Sequence, residues 1–66
     1  MILMRKLRKE KGITMKRLGE TIGYSESAVC RWEYGNRTPR PLVLKAIADA
    51  LGYDGDCTEL LKVADE

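Results

Sequence analysis

The segment from Thr14 to Trp32, T-M-K-R-L-G-E-T-I-G-Y-S-E-S-A-V-C-R-W, leaves the chain little choice of fold. Leu18 and Ile22 stand four apart, and Val29 and Trp32 three apart, so each pair shares one face of a helix. Gly23 falls where a chain leaving a helix turns through positive φ. Ser25 follows, with a hydroxyl suited to accept from the first turn of the next helix. Gly19 is small where the two helices cross. The spacing predicts two short helices joined by a tight turn, a helix-turn-helix unit over about residues 15–34. The second of these helices turns Glu26, Ser27, Cys30 and Arg31 outward.

Around this unit the pattern stays helical. A first helix is predicted over residues 2–11, with Leu3, Met4 and Leu7 inward and Gly12 at its end. Thr14 is the expected N-cap of the second helix, over residues 15–22. The third runs over residues 26–34 and stops at Gly35-Asn36. Pro41 suits the first position of a fourth helix. Leu44, Ile47, Ala48 and Leu51 line its inner face and Gly52 closes it. Asp56 with Glu59 three residues on resembles a capping box. Cys57, Leu60, Leu61 and Ala64 then repeat at helical spacing, giving a short fifth helix. No strand pattern or repeat is seen. The expected fold is an all-α, compact five-helix domain spanning residues 1–66. A chain of 66 residues buries only about 60% of its unfolded surface, which leaves little room for an enzyme cleft.

Charge divides the chain. Residues 1–40 carry ten Lys/Arg against four acids, whereas residues 41–66 carry two against six. A basic first part suits a polyanion and the acidic end suits something else. A solvated charged surface is the plainer reading. There is no histidine, and the two cysteines, Cys30 and Cys57, are far apart in sequence. A structural metal is therefore not expected, and no cofactor motif is present. Two lone cysteines suit a reducing cytosol. Arg5 interrupts the apolar start too early for a signal peptide.

The order L-R-x-x-K-G-I-T, L-G-E-T-I-G-Y-S, V-x-R-W-E-Y-G-N-R-T-P and I-A-D-A-L-G resembles the Cro and lambda-type phage repressor family, the XRE-like helix-turn-helix domains. The resemblance covers about residues 3–61 and rests on several spaced segments. It implies a lambda-repressor-like domain whose third helix enters the major groove of double-stranded DNA, commonly as a homodimer on a palindromic operator. It further implies a bacterial or phage transcriptional regulator, a repressor or Cro-like protein, acting in the cytoplasm at the nucleoid. A chain that begins at its first helix and ends soon after the fifth fits a small stand-alone Cro-like protein. Two positions depart from the family. Met15 stands where a phosphate-binding glutamine is usual, and Arg17 stands where a capping acid is expected.

By the same resemblance, Glu26, Ser27, Ala28 and Arg31 are the candidates for base contact. Arginine bonds guanine O6 and N7 bidentately, and glutamate accepts from cytosine N4. For Arg31 the plainer readings are a phosphate clamp or a surface arginine, and for Glu26 a helix-dipole partner. Ala28 either touches a thymine methyl or belongs to the core. Lys16, Ser25, Asn36, Arg37 and Thr38 are the candidates for phosphate contact, with Arg40 a weaker one. Asn36 with Gly35 also reads as ordinary turn chemistry. Arg8 and Glu33 match a partly buried salt bridge of the family and are read as structural. Trp32 is assigned to the core, Tyr24 to the turn, and Tyr34 to the border of the DNA or the core. The dimer surface is expected near the last helix, where Tyr53, Leu60 and Leu61 serve either it or the core. The rival reading is a protein-interaction module, an antitoxin-like or anti-repressor protein acting through its acidic half. An enzyme is disfavoured by the absence of histidine and of a nucleotide loop.

Overall fold

The computed structural model describes residues 1–63. It contains four α-helices, α1 (Leu3–Glu10), α2 (Met15–Ile22), α3 (Glu26–Glu33) and α4 (Pro41–Leu51), followed by a 3-10 helix, Cys57–Leu61. The all-α expectation holds. The fifth element, however, is one tight turn and not an α-helix, and Ala64, assigned to its inner face, lies outside the described residues. The predicted capping box explains part of this difference. Asp56 accepts from the Thr58 backbone N–H at 3.0 Å and from its hydroxyl at 2.8 Å. Glu59 does not reach back to complete the box; its carboxylate accepts from the Tyr53 hydroxyl at 2.6 Å. These bonds hold the Asp56 carboxyl below its usual range, and the bond to Glu59 raises the Tyr53 phenol.

α1 is shorter by one residue at each end than predicted, because Ile2 is extended. Ile2 forms an isolated antiparallel bridge with Val63, and the Leu3 N–H donates to the Lys62 carbonyl at 2.9 Å. The first and last described segments are thereby tied by backbone, a pairing that gave no alternating pattern in the sequence. α3 ends one residue early as well, with Tyr34 as its C-cap.

One apolar core joins all the elements. Met4 of α1, Leu18 of α2, Val29 and Trp32 of α3, Ile47 and Leu51 of α4, and Leu60 of the 3-10 helix are all buried. Each occupies the inner position predicted from helical spacing. Leu60 is fully enclosed, so of its two sequence readings the core is the correct one, and Leu61 and Tyr53 pack partly against the same cluster. α2 packs mainly on α3 and α4, and the 3-10 helix on α4 and α1. α1 and α3 have little backbone proximity. They are joined instead by long side chains.

Candidate nucleic-acid interface

The α2–α3 unit is built from local chemistry. Thr14 caps α2: its hydroxyl accepts from the Arg17 N–H at 3.0 Å, satisfying a donor of the first turn with no capping acid required. Gly23 ends α2 with φ +83°, a left-handed conformation that costs a side-chain-bearing residue about 1 kcal/mol or more. The next residue closes the turn, the Tyr24 N–H donating to the Gly19 carbonyl at 2.7 Å. Gly19 is also the point of closest approach. A Cβ there would stand 2.5 Å from the Tyr24 carbonyl oxygen and 3.1 Å from that of Ser25. Ser25 then caps α3, accepting from the Ala28 N–H at 3.2 Å. Tyr24 packs edge-on against Trp32 with ring centroids 5.2 Å apart. The turn and the helix that follows it are thus held at both ends.

α3 is fixed from a third direction. Arg8 of α1 donates from Nε to Glu33 Oε2 at 2.6 Å and from Nη2 to Oε1 at 3.1 Å. Its Nη1 donates to the Ile13 carbonyl at 2.7 Å. Arg8 is 7% exposed and Glu33 5%. A buried, bidentate pair of this kind ties the end of α3 to α1 and to the segment between α1 and α2.

The outer side of α3 carries the sequence-predicted residues. Glu26, Ser27 and Arg31 are exposed, and Cys30 is half-buried. Ala28 is half-buried, packed against the core, and also lines the groove surface. Ser27 and Arg31 form a ridge between two grooves. The broader groove lies between α3 and the chain after it, lined by Ser25, Ser27 and Arg31 on the helix side and by Arg37, Thr38 and Arg40 on the other. Among the described residues, three arginines and no acid line it. The second groove is lined by Met15, Glu26, Ser27, Cys30 and Arg31, so Met15 faces the groove that Glu26 enters.

The loop after α3 is organised by α3 itself. The N–H groups of Asn36 and Arg37 both donate to the Arg31 carbonyl, at 2.9 and 3.3 Å. Their backbone donors are thereby spent, and only their side chains remain for a ligand. Asn36, Arg37 and Thr38 are exposed, while Pro39 is buried and pins the loop to the body. Lys16 is exposed in the first turn of α2; neither it nor Asn36 lines either groove. Arg40, weighed lightly from sequence, lines the arginine groove beside Arg37. One contact escaped the sequence reading altogether: the Arg5 guanidinium lies over the Tyr34 ring, 5.5 Å from its centroid. Only half of it is legible in the sequence: Tyr34 stands three residues after Arg31 and seven after Ser27, on the same helical row, but nothing local brings Arg5 to it.

Among the described residues, no helix is long and apolar enough to cross a membrane, and no cluster of His, Cys, Asp and Glu suits a metal ion. Neither the curated proteins nor the solved structures contain a match to the chain. A family model described as helix-turn-helix matches residues 4–56, from the buried Met4 to the Asp56 turn. That span takes in α1 to α4, the capped turn and the arginine groove, and the chain belongs to the helix-turn-helix family of DNA-binding regulators, of the XRE, Cro and lambda-repressor type.

Proposed function

We propose that this DNA-binding domain is a sequence-specific transcriptional regulator, a repressor or Cro-like protein, that reads the major groove of double-stranded DNA with α3. Glu26, Ser27, Ala28 and Arg31 meet base edges. Lys16, Ser25, Asn36, Arg37 and Thr38 hold phosphates and set the register. Residues 1–66 act as one domain, bind as a homodimer on a palindromic operator, and work in the cytoplasm at the nucleoid.

The observation that carries this reading is the arginine groove beside the Ser27–Arg31 ridge. It sets three cations and four hydroxyls along one side of an exposed helix face, with no carboxylate among the described residues that line it. A phosphate backbone running in that groove brings the ridge against the base edges. Glu26 lies on the opposite side of the ridge, in the groove it shares with Arg31 and away from Arg37 and Arg40. There it repels phosphate and accepts only from a base donor such as cytosine N4, which sharpens discrimination between sequences.

The test is enrichment of the purified protein against a random duplex DNA library at near-physiological salt. A palindromic motif with half-sites about one helical turn, roughly 34 Å, apart is the expected result. An enriched motif without two-fold symmetry removes the homodimer from the reading. No enrichment and no binding at low salt would replace the whole reading with the protein-interaction one, an antitoxin-like or anti-repressor module.

A further inference from the structure

We propose that Arg5 of α1 and Tyr34 at the end of α3 form a separate phosphate clamp, which holds the DNA backbone at the far end of the recognition face from Ser25. The inference rests on the DNA reading above and extends the contact surface to a helix that the reading leaves out.

Four observations meet at this point. Tyr34 is 59% exposed and continues the outward row of Ser27 and Arg31. Arg5 reaches across from α1 to lay its guanidinium over that ring, at 5.5 Å. A cation on an aromatic face is oriented without using its hydrogen-bond donors, so the outer edge of the guanidinium remains available to an anion. The Arg5 Nε–H is enclosed and has no hydrogen-bond partner, so an anion at this point is met by the outer NH2 groups of the guanidinium and not by Nε. Finally, the carboxylate next to Tyr34 in sequence, that of Glu33, is engaged by Arg8 through both of its oxygens, so it is not given over to Arg5.

The location gives this cation a purpose. α3 has eight residues, about 12 Å, comparable to the width of a major groove. A helix seated there brings each of its ends near a phosphate backbone. The N-terminal end attracts phosphate through its N–H groups and the positive end of its dipole. The C-terminal end presents carbonyls and repels it. A phosphate beside those carbonyls is held only with a cation alongside, and the last-turn cation of α3 itself, Arg31, stands on the groove ridge. Arg5 supplies the cation there, and Tyr34 fixes where it stands.

The experiment measures binding of the full chain to a mixed-sequence DNA duplex across a salt series, for wild type, Arg5→Ala, Tyr34→Phe, Tyr34→Leu and the Arg5→Ala/Tyr34→Leu double variant. Melting curves check that each is folded. Arg5→Ala is expected to weaken binding roughly tenfold on every sequence and to lower the salt slope by about 0.9, the loss of one phosphate contact. Tyr34→Phe keeps the ring and binds as wild type. Tyr34→Leu loses a large part of what Arg5→Ala loses, and the double variant loses no more than Arg5→Ala alone. A salt-dependent wild type whose slope is unchanged in a folded Arg5→Ala overturns the clamp and leaves the DNA reading intact. Equal binding by Tyr34→Leu and wild type overturns the role of the ring. A wild type that binds no duplex at low salt removes the DNA reading and the clamp with it.

Discussion

Replacing Glu33 with alanine tests the polar tie on which the placement of α3 depends. Arg8 makes three hydrogen bonds, at 2.6, 3.1 and 2.7 Å, and two of them end on Glu33. With the partners 7% and 5% exposed, little water reaches the pair. Glu33→Ala therefore leaves a guanidinium buried with one carbonyl for company, and guanidinium cannot shed its proton to escape. Breaking one side of a buried pair costs on the order of 3 kcal/mol. A domain this small has only about 3–10 kcal/mol of stability in total. Each kcal/mol moves the melting temperature of a domain of this size by roughly 4–8 °C, so the variant is expected to melt about 15 °C lower or to be unfolded at room temperature. Glu20→Ala is the control, a carboxylate on the exposed side of α2. Its loss should shift melting by no more than a few degrees, corresponding to about 0.5 kcal/mol.

The same pair offers a second check. Arg8→Met combined with Glu33→Leu removes both charges and strands neither. A buried ion pair replaced by apolar residues of similar size is often close to neutral. The double variant should then be more stable than either single variant, with a coupling energy of about 2 kcal/mol or more in the cycle. Urea unfolding measures all four proteins. If Glu33→Ala melts within a few degrees of Glu20→Ala, or if the two substitutions simply add, the tie does not hold α3 and the reasoning fails.

Four further outcomes are expected. Arg31→Ala should cost about 1–3 kcal/mol on the enriched DNA site and relax one base position; an equal loss on every sequence would make Arg31 a phosphate clamp. Arg37→Ala should weaken all duplexes alike and lower the salt slope by about 0.9, and an unchanged slope removes it from the interface. Gly19→Ala drives a Cβ to 2.5 Å from a backbone oxygen, so melting should reveal a loss of about 1–3 kcal/mol; a wild-type melting temperature would refute the close crossing. The raised Tyr53 phenol means that its contribution is complete below the unfolded tyrosine pKa and is lost as pH rises through the folded value. The lowered Asp56 carboxyl contributes above the unfolded aspartate pKa and is lost as pH falls through the folded one. Tyr53→Phe should flatten the alkaline limb of stability against pH and Asp56→Ala the acid limb; limbs of unchanged slope would discount these bonds.

Most of the fold was legible because the core residues recur at helical spacing and the helix ends are written in short-range chemistry. Thr14, Gly23, Ser25 and Gly52 each act within four residues of themselves, so the sequence alone locates them. The fifth helix lies where the sequence puts it but is a 3-10 and not an α-helix, because bonds reaching beyond its own first turn decide its type. Glu59 prefers the Tyr53 hydroxyl to the start of its own helix, and Lys62 and Val63 are drawn to the N-terminal segment. Helical spacing of Cys57, Leu60 and Leu61 is compatible with either kind of helix over so short a run. The interface divided along the same line. Residues on α3 itself were found by periodicity, whereas Arg40 in the groove and Arg5 over Tyr34 depend on where other segments fold back.

The interface and the stability of this chain share atoms, and that limits how either can change. Glu33, held by Arg8, stands two residues after Arg31 and one before Tyr34. The Arg31 carbonyl in turn receives the N–H groups of Asn36 and Arg37. A shift of the Arg8–Glu33 pair therefore moves the ridge arginine, and a shift of Arg31 moves the loop that carries Arg37. Weakening the buried tie should degrade DNA binding even where the protein remains folded, because ridge and loop lose their common register. The converse does not hold. Arg31, Arg37 and Arg40 are exposed side chains of the groove that bond to no carboxylate among the described residues, so substituting them should alter DNA binding with little effect on melting. A variant such as Glu33→Gln, which keeps the shape and one acceptor while removing the charge, separates the two. It should lose stability first and specificity at the Arg31 base position second; a lowered salt slope would show that the Arg37 loop had moved with the ridge.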